Sequence, residues 1–153
     1  MPRASVSLLG AVLLVGVTVL LAVVVTVAAT AFVPAEPADP VVLRVSADAA
    51  TGRVSLEHVS GPPVDVRQLT LEVTVDGEPL AHQPPVPFFA AAGFYGGPTG
   101  PFNPAADPAW TVGETASFRV AGTNDPPLSA GASLTVTVTR GGRLVARATT
   151  TVG

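Results

Sequence analysis

Two hydropathy patterns divide this chain. From Leu8 to Val33, 26 consecutive residues carry no charge, no Asn, no Gln and no Pro. A helix rises ~1.5 Å per residue, so the run reaches roughly 39 Å, enough to cross a bilayer core of about 30 Å with length to spare. Val and Thr dominate Val12 to Val27 and would favour strand in water. An isolated strand cannot pair its own backbone in lipid, however, so the pattern predicts a transmembrane helix over 8–33. Its polar atoms are the hydroxyls of Thr18, Thr26 and Thr30, which can bond back to their own helix. The small residues Gly10, Gly16, Ala22 and Thr26 are spaced 6, 6 and 4 apart without a GxxxG. Gly10 and Gly16 are candidate close-packing positions, with no pairwise dimer seam, and an all-round apolar helix suits burial among like helices.

Beyond Val33, Pro34, Pro37 and Pro40 break the helix and make 34–40 a stiff extended spacer. From Val41 the period becomes two. Val41, Leu43, Val45 and Ala47 face one way up to a turn at Ala50-Thr51-Gly52, and Val54 and Leu56 continue inward on the return strand, predicting a hairpin. After a loop at Ser60-Gly61-Pro62-Pro63 come Leu69, Leu71, Val73 and Val75 on one face, closed by an Asp76-Gly77 turn. Further alternation follows at Ala116, Phe118 and Val120, then at Leu134, Val136 and Val138, with Gly141-Gly142 turning into a last strand over 143–152. Six or seven short strands with one apolar face each predict an antiparallel, immunoglobulin-like β-sandwich over 41–153. The fold class is therefore mainly β, headed by one N-terminal apolar helix.

Residues 79–110 interrupt the alternation. They hold eight of the sixteen prolines, four of the six phenylalanines, the Tyr and the Trp. That many prolines forbid long regular elements, yet disordered segments rarely carry so many aromatics. The segment reads as an ordered loop pinned by Phe88, Phe89, Phe94 and Trp110, and with Tyr95 these residues form a candidate aromatic surface, core-capping being the preferred reading over ligand contact.

Charge and composition narrow the picture. All eight basic residues are Arg; beyond the helix seven of them face eleven acidic residues, a net charge of −4 that carries no nucleic-acid footprint. The absence of cysteine leaves folding to core packing and removes thiolate and Cys-metal chemistry. The 120 residues or so after the helix suffice for one domain. Residues 1–7 form a short flank with Arg3 on one side of the helix, and Glu36 and Asp39 follow on the other, which places the C-terminal domain outside the cell by the positive-inside rule. Cleavage as an ordinary signal peptide at Ala29-Thr30-Ala31 is a rival, but the apolar stretch before that site is longer than the 7–15 residues typical of such peptides. No catalytic, cofactor or metal-binding pattern is present: His58 and His82 read as partly exposed polar residues, and Asp107 and Asp125 as turn formers.

The sequence Arg3-Ala4-Ser5-Val6-Ser7-Leu8-Leu9-Gly10, leading into GAVLLVGVTVLLA from Gly10 to Ala22, resembles the start of archaeal type IV pilins, particularly haloarchaeal ones, in which RAVSPVIG precedes an apolar helix. Arg3, Ala4 and Gly10 match, whereas Ser5-Val6-Ser7 replaces the VSP portion. VDGEPLAHQPPVPFF, GPTGPFN and DPAWTVGETASFRVAGTN are similar to segments recurring in the heads of such pilins. The resemblance implies processing by a prepilin peptidase after Ala4, with Ser5 as the new N-terminus and Arg3 preceding the cut. It also implies partnership with membrane lipid, with other pilin subunits and with the pilus assembly machinery, and a structural role in an adhesive surface filament. The docking Glu of the bacterial family is not present. Two readings compete with it: a single-span anchored binding module that never polymerises, and, more distantly, an extracellular enzyme.

Overall fold

The computed structural model describes the backbone of residues 3–31 and 40–153 and the side chains of 7–25 and 40–153. They belong to two units, a helix and a β-domain, with the division after Pro37.

Helix α1 spans Arg3–Ala31. It begins before the charge-free run because nothing after Pro2 breaks a helix, and proline itself is tolerated only in a first turn. The stretch apolar enough to cross a bilayer is Ser7–Val25, 19 residues with a mean hydropathy of 3.0. Thr18 Oγ1 donates to the Leu14 carbonyl at 2.7 Å, so this hydroxyl needs no outside partner. The expected proline spacer, apart from Pro40, and residues 32 and 33 lie outside the described residues.

The second unit is a β-sandwich. Its strands are β1 (Val42–Asp48), β2 (Arg53–Ser60), β3 (Val64–Asp65), β4 (Leu69–Val75), β5 (Glu78–Pro79), β6 (Phe94–Thr99), β7 (Ala109–Trp110), β8 (Thr115–Val120), β9 (Ser133–Arg140) and β10 (Arg143–Thr151). One antiparallel sheet runs β1-β2-β8-β6, the other β10-β9-β4-β5, and β3 pairs with β7. The alternation predicted along β1, β2, β4 and β9 appears as alternating burial, whereas on β8 Ser117, expected outward, is buried. Val54, Leu56, Val66, Val73, Phe102, Trp110 and Leu134 are fully buried between the sheets. Asp76 and Gly77 take φ of 51° and 83°, the paired positive values that a two-residue hairpin turn requires.

The proline-rich segment contains more regular structure than its composition predicts, since β6 lies inside it. A strand reading FYGGPT survives because it is an edge strand: only Phe94, Tyr95 and Thr99 register with β8, and an irregularity separates Tyr95 from Thr99.

The other edges are protected in different ways. On β4, the Gln83 side chain stands in for a strand, its Oε1 accepting from the Val73 N–H (2.7 Å) and its Nε2 donating to the Val73 carbonyl (3.0 Å). At the opposite side the chain end closes the sandwich. Gly153 N–H donates to the Ala47 carbonyl (2.9 Å), and the Ala49 N–H donates to the Gly153 carbonyl (2.8 Å).

Candidate functional site

The helix carries the first group of candidate residues. Arg3, Ala4 and Ser5 form the first turn of α1. Gly10 and Gly16 sit on open helix surface, where an added Cβ at either would meet no atom within 4 Å. Six residues apart at ~100° each, they point to well-separated sides of the helix, so they do not line one seam. Every large apolar side chain from Leu8 to Val25 is between 47% and 72% exposed. Apolarity on all sides, with no polar face, is the arrangement of a helix made for lipid or for a bundle of like helices.

The aromatic segment divides into an inside and an outside. Phe88, Phe94, Phe118, Phe102 and Trp110 form one unbroken chain of ring contacts: 5.7 Å from Phe88 to Phe94, 5.6 Å on to Phe118, 6.2 Å to Phe102 and 5.3 Å to Trp110. Two of these contacts, Phe94–Phe118 and Phe102–Trp110, are edge-to-face, the orientation that the ring quadrupole favours. Phe89, by contrast, is 63% exposed and pins nothing, which corrects its expected role. It lies at a bend directly after buried Phe88. Tyr95 directly follows buried Phe94 and is 50% exposed, with the Arg119 guanidinium 4.9 Å from its ring centre.

Two amides fasten the segment. Gln83 holds it to β4 as described, and Asn124 bonds both backbone groups of His82, accepting from its N–H (3.0 Å) and donating to its carbonyl (2.9 Å). Asn124 Nδ2 also donates to the Gly93 carbonyl (3.2 Å). Gly93, at φ +81°, packs so closely that a Cβ there would lie 2.7 Å from that same nitrogen. Neither amide was singled out by the sequence, in which each is one polar residue among turn formers.

His58 is fully buried, not partly exposed as its polarity suggested. Its Nδ1 lies 3.1 Å from the Trp110 carbonyl and its Nε2 3.1 Å from the Ser60 carbonyl, with its ring edge-on to Trp110 at 5.8 Å. Both neighbours are backbone carbonyls, so each ring nitrogen lies against one. His58 is thus a structural tie between β2 and the segment carrying Trp110. His82 is exposed.

The described charges are mostly local fasteners. Asp65 accepts from the Arg67 side chain and backbone and is held below its ordinary pKa by those bonds, while Arg67 is raised by the same pairing. Asp48 is lowered by hydrogen bonds from the Thr51 hydroxyl and the Ala50 N–H. Among the described residues no group of three or more His, Asp or Glu could hold a metal ion. No protein-family model matches the chain, and no curated protein matches it.

Proposed function

We propose that this chain is a pilin-like structural subunit: parked in the membrane by α1, processed next to Arg3-Ala4, and assembled through the helix into an archaeal surface filament that serves adhesion. The observation that carries the reading is the helix itself. A stretch of 19 residues apolar on every side, with Thr18 satisfied internally, can exchange lipid contacts for contacts with identical helices without stranding a polar group. The β-sandwich would then form the filament exterior, its net acidic surface limiting non-specific association. The N-terminal resemblance to pilins supports the cleavage position.

The test is the mass of the N-terminal peptide of protein taken from membranes, in cells with and without prepilin peptidase. A start at Ser5 that reverts to an uncut N-terminus without the peptidase supports the pilin reading and predicts filaments by electron microscopy. A start at Phe32 would mean a secreted β-domain. An uncut terminus in both strains would leave a membrane-anchored module, a reading favoured by the outward-facing Phe89 and Tyr95.

A further inference from the structure

The outer face of the β1-β2-β8-β6 sheet brings together residues that lie far apart in sequence. Across its four strands the registers align Asp48 with Arg53, Arg53 with Arg119 and Arg119 with Tyr95. The next row is made of hydroxyls: Ser46, Ser55, Ser117 and Thr99 stand in line. Ser117 is covered, and its Oγ lies 2.6 Å from Thr99 Oγ1, so Ser46, Ser55 and Thr99 are the reachable members.

Arg53 directly opposite Arg119 is an unfavourable pairing within the sheet. Among the described residues no carboxylate forms an ion pair with either arginine, and only Asp48, in register opposite Arg53, offsets part of the charge. The ion pairs among the described residues are Arg44–Glu57 and Arg67–Asp65, and the nearby Asp48 carboxylate accepts from Ala50 and Thr51 instead. Arg53 Nη1 only reaches to 3.5 Å of Ser117 Oγ, and the Arg119 guanidinium lies over the Tyr95 ring, a placement that leaves its N–H edge to the solvent. Two exposed guanidinia on a chain of net negative charge therefore form a local anion-seeking pair. Beside them a depression of about 120 Å³ is lined by Ser46, Asp48, Arg53 and Ser55. On the other flank Tyr95 walls a cleft of about 250 Å³ with Gly52, Val120 and Leu128. That cleft is below the ordinary drug-sized range and suits a single ring.

We infer that this sheet face is a binding surface for an acidic polysaccharide, with uronic-acid carboxylates held across Arg53 and Arg119, sugar hydroxyls meeting the serine and threonine row, and one ring lying against Tyr95. A guanidinium pair alone would fit any anion. The flat row of hydroxyl donors and acceptors and the half-exposed aromatic are what select a sugar over a phosphate or an acidic peptide. The inference does not rest on polymerisation, because a single anchored head presents the same face.

The experiment uses the full-length chain in detergent micelles, below filament-forming conditions, and measures binding to polygalacturonate by calorimetry at fixed ionic strength. Fully methyl-esterified polygalacturonate and poly-L-glutamate serve as comparison polymers. Polygalacturonate is expected to bind at least tenfold more tightly than either. Arg53→Gln and Arg119→Gln should each weaken it at least tenfold, and Arg119→Lys, which keeps the charge but not the fork, severalfold. Arg143→Gln is the control: Arg143 also faces another arginine, Arg140, but the row beside that pair is Thr70, Thr139 and Leu144, with no aromatic in register. It should change affinity less than twofold. Thermal midpoints of the Arg53 and Arg119 variants should be little changed, since removal of the like-charge contact offsets the lost attraction to Asp48 and the lost stacking on Tyr95. Equal binding of the ester, equal binding of poly-L-glutamate, an Arg143 effect as large as that of Arg53, or no binding at all would each overturn the inference.

Discussion

At the scale of single residues, burial separates neighbours that the sequence presents as equivalent. Trp110 and Phe102 are fully buried and packed edge-to-face, whereas Phe89 is largely exposed. Trp110→Ala is expected to destabilise the β-domain by about 3–5 kcal/mol, and Phe89→Ala by less than about 0.5 kcal/mol, as read from denaturant midpoints. The aromatic content of 79–110 was legible as a sign of order. Which ring faces inward was not, because prolines hide the strand parity that fixes it. His58 was within reach of that same parity: it follows Val54 and Leu56 at the inward spacing of β2, and only its polarity argued for the surface. The acid limb of stability also belongs to this scale. Asp48 and Asp65 have pKa values lowered from about 3.8 in the folded state. A lowered carboxylate contributes stability above its unfolded pKa and loses it as pH falls through the folded one. The thermal midpoint should therefore not respond to these two groups from pH 8 to 5 and should decline below about pH 4. The Asp48→Asn/Asp65→Asn double variant should show a shallower decline.

At the scale of elements, α1 was legible as a helix because a long apolar run admits one solution in lipid, but its start at Arg3, five residues before Leu8, was not. Val17→Arg places a charge near the middle of the Ser7–Val25 span and is expected to cost about 2.5–3.5 kcal/mol of insertion free energy. Carbonate extraction should show the variant shifted from the membrane pellet to the supernatant. Strands β1, β2, β4 and β9 were legible by alternation, β10 by the Gly141-Gly142 turn before it, and the β4 turn by its Asp-Gly pair. Strand β6 was not, since Tyr95-Gly96-Gly97-Pro98 contradicts strand propensity and pairs only because an edge demands little of it. The guarding of β4 by Gln83 was equally invisible, as it depends on a side chain reaching across ten residues to copy a backbone. Gln83→Ala should cost about 1–3 kcal/mol by stranding the Val73 N–H, while the Val73 carbonyl keeps the Leu80 N–H. Light scattering on heating should also show earlier association, because an uncovered strand edge invites another strand.

At the scale of the whole molecule, the sandwich followed from counting alternating segments, but the face carrying Arg53, Arg119 and Tyr95 did not. Those residues meet through registers between strands 66 and 24 positions apart, and a single sequence states no register across such distances. The closure at the chain end has a mechanical meaning. Chain arriving from the helix enters the sandwich at Val42, while the Asp48–Tyr95 row lies at the far end of β1. Tension applied between Val42 and that row would run along β1, across the direction of its hydrogen bonds to β2, so the ladder must slide as a whole instead of unzipping rung by rung. Gly153, bonded to Ala47 and Ala49, adds a second seam on the opposite side of that strand. Gly153 thus acts as a rivet on β1.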